Sequence, residues 1–429
     1  MDISALDNFS VEENNSRRTR LAIIADDFTG ALDTGIQFAK KGIRIAVLSV
    51  NVERIESIES SIEVIVFDTE SRHMESECAY RAVYEAVKAC LAAGCTHIYK
   101  KTDSGLRGNI GAELQAAMDA TGFRSLHFIP ALPKIGRTTV DGVHLIQGIP
   151  VAQSLFANDP INPVRHSLVS EIIAETSSAE VFLGHRERGI SVYDAKSDED
   201  LERIGNSLSA EELRLTAGNA GFAEYLSPLI GLESRRNDCT LEGRDLVIVS
   251  GSINRISLDQ LDRAQREGYP RIVLQGENKV REDFFSSGAG DDIVLKALRS
   301  CHERRVSIID GGDPKLDTLS YEYANRRGID VDQLWVPIAR NFGSLIKRII
   351  ELDDSVNILC IGGDSLIEAL HALSIDSIVP VDEVLQGVVL NRIEYRGKAI
   401  SLMTKSGGFG PEDLVPQLEG IMEKLSKGE

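Results

Sequence analysis

Residues 95–113 read Cys-Thr-His-Ile-Tyr-Lys-Lys-Thr-Asp-Ser-Gly-Leu-Arg-Gly-Asn-Ile-Gly-Ala-Glu. An apolar strand over 96–99 runs straight into Lys100, Lys101, Thr102, Asp103, Ser104 and Arg107, with glycines at 105, 108 and 111. Lys100, Lys101 and Arg107 supply positive charge for an anion, and Asp103 can accept a hydroxyl proton. The glycines let backbone N–H groups approach a ligand. A helix expected over 110–120 adds a positive N-terminus, which favours anions. The competing reading is a plain strand-to-helix loop with solvated charges, but functional residues concentrate on such loops.

Other clusters carry related chemistry. Asp26 and Asp27 follow the apolar run 21–25 and could bind hydroxyls, take a proton or hold a metal through water, although Asp also favours helix N-caps. Arg72, in the cluster 68–72, has the planar fork that clamps a carboxylate, unless it is a solvated helix-start arginine. In the C-terminal half, Gly362-Gly363-Asp364-Ser365 opens a helix expected over 366–373, and Lys405 precedes Gly407-Gly408-Phe409-Gly410. Both turns suit phosphate through free backbone N–H groups. Neither matches the P-loop or the dinucleotide glycine fingerprint, and a tight turn alone would account for either. The eight histidines are dispersed without metal spacing or a Ser-His-Asp cue, so hydrolase chemistry has little support.

The elements that must position these groups alternate. Strands are expected at 21–25, 43–50, 63–67 and 96–99, with a helix carrying Leu32, Ile36 and Ala39 and a long one capped by Ser76 and closed by Gly94. Repeated strand, polar loop and helix imply a parallel sheet with helices on both faces. Ligands of such sheets bind at the carboxyl ends of the strands, where the clusters 26–30, 68–72 and 100–109 lie. Residues 126–163, rich in Pro and Gly, read as an elaborated loop region around the same site, and 194–200 and 207–212 as helix starts. A second series follows, with strands at 245–249, 271–274, 306–309, 356–361 and 399–403. The fold class is therefore α/β, with two α/β domains, each a largely parallel sheet flanked by helices. Their expected extents are 20–235 and 244–425, after a disordered lead-in over 1–19.

A chain of 429 residues exceeds one ordinary core. Its net charge of −19 argues against nucleic-acid binding, and no apolar run is long enough for a transmembrane helix. The polar N-terminus lacks the apolar centre of a signal peptide. Six scattered cysteines suit buried thiols in a reducing compartment, so the cytoplasm is expected, and a homodimer is left open.

Together the two halves suit phosphoryl transfer, one holding a polyhydroxy acid and the other phosphates. Residues 25–31, Ala-Asp-Asp-Phe-Thr-Gly-Ala, and the Lys100–Glu113 stretch resemble two signatures of the four-carbon acid sugar kinases. Gly136-Arg137-Thr138-Thr139, Asp159-Pro160, 217–221, 362–364 and 405–410 continue the likeness in order. The resemblance implies an ATP-dependent kinase acting on the terminal hydroxyl of a tetronate, with Mg²⁺ arriving on the nucleotide. It implies a sugar-acid domain, then a nucleotide domain, with the active site in the cleft between them. By motif, Asp26, Asp27, Arg72, Lys101, Thr102, Asp103 and Ser104 would contact the acid, and Asp27, Lys101, Asp103 and Arg107 would serve catalysis. Ser252, Gly362, Gly363, Asp364, Lys405, Gly407, Gly408, Phe409 and Gly410 would contact ATP. Residues 33–37 and 69–72 look more like the D-threonate and D-erythronate kinases than the 3-oxo-tetronate branch. Gly105 and Ser365 depart from the family pattern, which has threonine at both. A non-catalytic effector-like protein and a dinucleotide-dependent dehydrogenase are the alternatives of other classes.

Overall fold

Apolar strand segments that are buried on both faces dictate the architecture of this computed structural model. It describes residues 21–49, 61–159, 161–235, 241, 243–405 and 407–427. The expected lead-in over 1–19 lies outside the described residues, as do Val50, Pro160, Ser406 and most of 236–242. The chain divides into two compact units, 1–235 and 236–429.

The first unit begins β1 (Leu21–Ala25), α1 (Phe28–Ala39), β2 (Ile45–Ser49), β3 (Val64–Asp68), α2 (Ser76–Ala92), β4 (His97–Lys101), α3 (Ile110–Thr121) and β5 (Ser125–Ile129). It continues with β6 (Arg137–Val140), β7 (Val143–Ile146), β8 (Ile149–Pro150), α4 (Val169–Ala174), β9 (Val181–Leu183), β10 (Gly189–Val192), α5 (Asp198–Ser207), β11 (Leu215–Gly218) and α6 (Ala220–Leu229). Strands β2, β3, β1, β4, β11, β5, β10 and β9 form, in that spatial order, a parallel sheet. Every residue of β1 and β3 is buried, as expected for a parallel sheet covered on both faces. The register sets Ala25 level with Asp68 on one side and Lys101 on the other, so three polar loops leave the sheet side by side.

Several local expectations need correction. α1 starts at Phe28, earlier than read, because the Asp27 side chain accepts the Gly30 N–H at 3.1 Å and caps it. α2 is preceded by Glu75, so Ser76 is its first residue rather than its cap. Residues 137–150 are not loop but a small antiparallel sheet of β6, β7 and β8. Ser207 ends α5, and 212–214 form a single 3₁₀ turn. Four described cysteines are buried, whereas Cys78 is exposed on α2.

The second unit comprises β12 (Leu246–Ser250), α7 (Arg255–Arg266), β13 (Arg271–Val273), α8 (Glu277–Val280), α9 (Asp291–Arg304), β14 (Val306–Asp310), α10 (Thr318–Arg327) and α11 (Trp335–Leu352). β15 (Asn357–Ile361), α12 (Gly363–Leu373), β16 (Ser377–Leu385), β17 (Val388–Tyr395), β18 (Lys398–Lys405) and α13 (Leu414–Leu425) complete it. β13, β14, β12, β15 and β18 are parallel neighbours. An antiparallel hairpin, β16 and β17, extends the sheet beyond β18 and was not anticipated. Among the described residues no helix is long and apolar enough to cross a membrane.

Candidate active site

The loops after β1, β3 and β4 bring charges together at the carboxyl end of the first sheet. Arg72, in the 3₁₀ turn after β3, is buried and sits among carboxylates. Its Nε lies 2.7 Å from Asp26 Oδ2, and its Nη1 and Nη2 lie 2.8 and 2.6 Å from the two oxygens of Asp27. Nη2 is also 3.5 Å from Asp103 Oδ1. The fork expected to be open for a substrate carboxylate is thus occupied by Asp26 and Asp27. Arg72 orients the acids of the site.

Asp103 is held more firmly still. It accepts the backbone N–H of Gly105 at 3.0 Å, and Arg107 grips both its oxygens at 2.9 Å. A third nitrogen of Arg107 reaches Asp159 at 3.0 Å, a partner the sequence reading did not assign. Burial pushes Asp103 up, but Arg72 and Arg107 outweigh it and keep the carboxyl well below its ordinary value. Asp26 is likewise pushed up by burial and held down by Arg72, then Lys101. Both remain carboxylates at neutral pH and are weak proton acceptors. Asp27 differs in access: 26% of its side chain is exposed, against 2% for Asp26 and 8% for Asp103.

The two adjacent lysines part company. Lys101 approaches Asp26 at 3.6 Å and Asp27 at 3.9 Å and stays on the site. Lys100 turns into the interior, bonded to the carbonyls of Ile24 and Lys101 and to Glu113 at 2.9 Å. It is fully buried, which corrects the expectation that it offers charge to a ligand. Glu113 in turn accepts from Ser71 at 2.6 Å, bracing the turn that carries Arg72. Thr102 is also fully buried, its hydroxyl directed to the Gly218 carbonyl at 3.3 Å, so its side chain is not placed to meet a substrate. Ser104 is half-buried, and its carbonyl is hydrogen-bonded to His144 at 3.0 Å. Asp68, which the sequence marks only as part of the cluster 68–72, is buried with Oδ2 lacking a hydrogen-bond partner among the described residues; burial raises it well above the carboxylate range.

In the second unit a cavity of about 560 Å³ opens beside the carboxyl ends of the strands. Ser252, Gly362, Gly363, Asp364, Gly407 and Gly408 line one part of it, and Tyr321, Val331, Leu334, Trp335 and Ile338 another. Gly362 has φ +118°, a conformation open to glycine, and leads into α12, whose first N–H groups have no intrahelical acceptor. The turns approach so closely that a Cβ at Gly407 would lie 2.2 Å from Ser252 Oγ. Lys405, Phe409 and Gly410, expected to touch nucleotide, do not line this cavity. Lys405 is buried, 3.2 Å from Ser257 Oγ, and Ser257 bonds the Gly407 carbonyl at 2.7 Å. Burial lowers the Lys405 ammonium to about 8. The aromatic and apolar lining was missed because its residues come from elements that the sequence reading did not delineate.

Comparison with known proteins is consistent with this division. A family model described as a sugar-binding N-terminal domain matches residues 21–226, and a nucleotide-binding C-terminal domain matches 247–415. A D-threonate kinase of Salmonella typhimurium is 28% identical, covering 96% of this chain and 100% of its own. A D-erythronate kinase of Heliobacterium modesticaldum is also 28% identical, over 92% and 95%, and a 3-oxo-tetronate kinase of Brucella melitensis 24%, over 92% and 93%. The chain belongs to the four-carbon acid sugar kinase family. A solved Haemophilus influenzae protein shares the fold of this kinase-family chain, with TM-score 0.74 and 21% identity over 94% of this chain and 100% of its own. At Gly105, a Cβ would lie 2.7 Å from the Phe156 ring. The aromatic ring takes the room a threonine would need.

Proposed function

We propose that this protein transfers the γ-phosphoryl group of ATP to the terminal hydroxyl of a four-carbon acid sugar such as D-threonate or D-erythronate. The observation that carries the reading is the cavity of the second unit, where glycine-rich turns and a helix N-terminus accompany an aromatic, apolar lining. Converging N–H groups suit phosphates, and Trp335 and Tyr321 suit the flat face of a base. The full-length likeness to three kinases of four-carbon acids supplies the acceptor class.

The roles follow from access and charge. Asp27, the most exposed of the three carboxylates, accepts the proton of the attacking hydroxyl. That oxygen forms the new bond to the γ-phosphorus as the bond to the β,γ-bridging oxygen breaks, and ADP leaves. Lys101 offsets the charge of the transferring group, and Asp103 with Arg107 fixes the loop that borders the acid. Asp364, in the cavity, would hold the Mg²⁺ that comes with ATP, a hard cation taking oxygen ligands that would neutralise phosphate charge.

A coupled ADP-release screen over four- and five-carbon acid sugars tests the proposal. ADP release that depends on D-threonate or D-erythronate is expected. Preference for a 3-oxo-tetronate would move the protein to the other branch, and release with no acid sugar at all would refute the reading.

A further inference from the structure

Three arginines, Arg72, Arg107 and Arg137, lie on or beside the loop 103–107, and two are occupied by protein carboxylates: Arg72 by Asp26 and Asp27, Arg107 by Asp103 and Asp159. The third, Arg137 at the start of β6, has no carboxylate partner among the described residues. Its Nε is buried without a hydrogen-bond partner among the described residues, while the residue as a whole is only half-buried. A guanidinium taken partly out of water is stable when an anion meets it, ideally through two parallel bonds.

Its position is fixed by one ring. The Arg137 guanidinium lies 5.2 Å from the centroid of Phe156, and that of Arg107 lies 5.1 Å from the same centroid. Phe156 also fills the space over Gly105, so Arg137 is tied to the loop that carries Asp103. Burial lowers the Arg137 pKa and the charge of Asp103 opposes that, which places the group within the electrostatic reach of the site. We propose that Arg137 binds the carboxylate of the acid substrate, with Phe156 holding its guanidinium in place. The inference rests on the acid-sugar kinase reading and adds to it the residue that selects an acid over a neutral polyol.

The test compares the wild type with Arg137→Gln, Arg137→Lys and Phe156→Leu. Kinetics are measured with the preferred four-carbon acid and with the matching uncharged tetritol. Arg137→Gln should raise KM for the acid about 10–100-fold, the scale of a charged hydrogen bond. KM for ATP and kcat/KM for the tetritol should stay within about twofold, so the preference for the acid collapses. Arg137→Lys should retain part of it, and Phe156→Leu should fall between. An unchanged KM for the acid, or equal losses with acid and tetritol, would overturn the proposal, the latter marking Arg137 as a packing residue. Thermal shift with the acid alone keeps the two readings apart. If the wild type turns over no acid sugar, the kinase reading fails, yet stabilisation by the acid that Arg137→Gln abolishes would still uphold the binding site. Equal stabilisation, or none in the wild type, would sink it; an unchanged shift with ATP verifies that the variant is folded.

Discussion

Replacing Arg72 with methionine removes the cation that Asp26, Asp27 and Asp103 share. In the wild type its side chain is 10% exposed and lies 2.7, 2.6 and 3.5 Å from the three carboxylates. The variant leaves Lys101, at 3.6 Å from Asp26 and 3.9 Å from Asp27, beside the first two. Removing one partner of a buried ion pair costs about 3–5 kcal/mol, because the other charge stays buried. The pH dependence has a definite sign. Burial pushes Asp26 and Asp103 up, but Arg72 leads the charges that hold both below their ordinary value. Their contribution to stability is therefore present above the unfolded value of about 3.9 and lost only as pH falls through the folded ones. With only Lys101 and Lys100 left to oppose burial, the largest influence on Asp26, its folded pKa is expected to rise above the unfolded value, so that ionisation destabilises the fold. The loss should be about 3–5 kcal/mol near pH 8 and shrink towards pH 5 as the carboxyl takes up a proton. Urea unfolding followed by far-UV circular dichroism reads both units, whereas the fluorescence of the single tryptophan, Trp335, reports its own unit. A loss below about 1 kcal/mol, the scale of a surface ion pair, or one equal at both pH values, would refute the reasoning.

Asp27→Asn should lower kcat by about 10²–10⁴ while KM for ATP stays within about twofold, as steady-state kinetics with both substrates will read. Trp335→Ala should weaken ADP binding by about 1–3 kcal/mol, the scale of a base–aromatic stack, and ADP should change Trp335 fluorescence in the wild type. Burial sets Lys405 near 8, so its cationic form, which favours phosphate beyond the adjoining turn, is lost as pH rises through that value. Calorimetric ADP affinity should therefore fall from about pH 7 to pH 9 in the wild type and change less in Lys405→Met.

The clusters at the strand ends were legible because buried parallel strands are nearly uniform in apolar residues. Polar residues directly after Ala25 and Phe67 therefore stand out. The partner of each charge was not legible. Arg72 meets Asp26 and Asp27 across 45 and more positions of sequence, and Arg107 meets Asp159 across 52, so the pairings depend on the sheet order. Lys100 and Lys101 occupy successive positions of one strand and face opposite sides, a period-two consequence that separates an interior cation from a site cation. The β6–β8 meander was hidden by its Pro and Gly content, which reads as loop until its strands pair. The β16–β17 hairpin carries register shifts at Pro380/Asp382 and Glu383/Leu385 that interrupt its alternation. Trp335 and Tyr321 join the glycine turns only through the fold of the second unit.

The central claim is transfer of a phosphoryl group from ATP to the terminal hydroxyl of a four-carbon acid. Phosphorus and carbon NMR of a turnover mixture with the preferred acid tests it most directly. The account predicts a phosphate monoester coupled to C4, an unmodified carboxylate at C1, and ADP formed in equal amount. Inorganic phosphate without an ester, or an acyl phosphate at C1 that hydroxylamine traps, would contradict it.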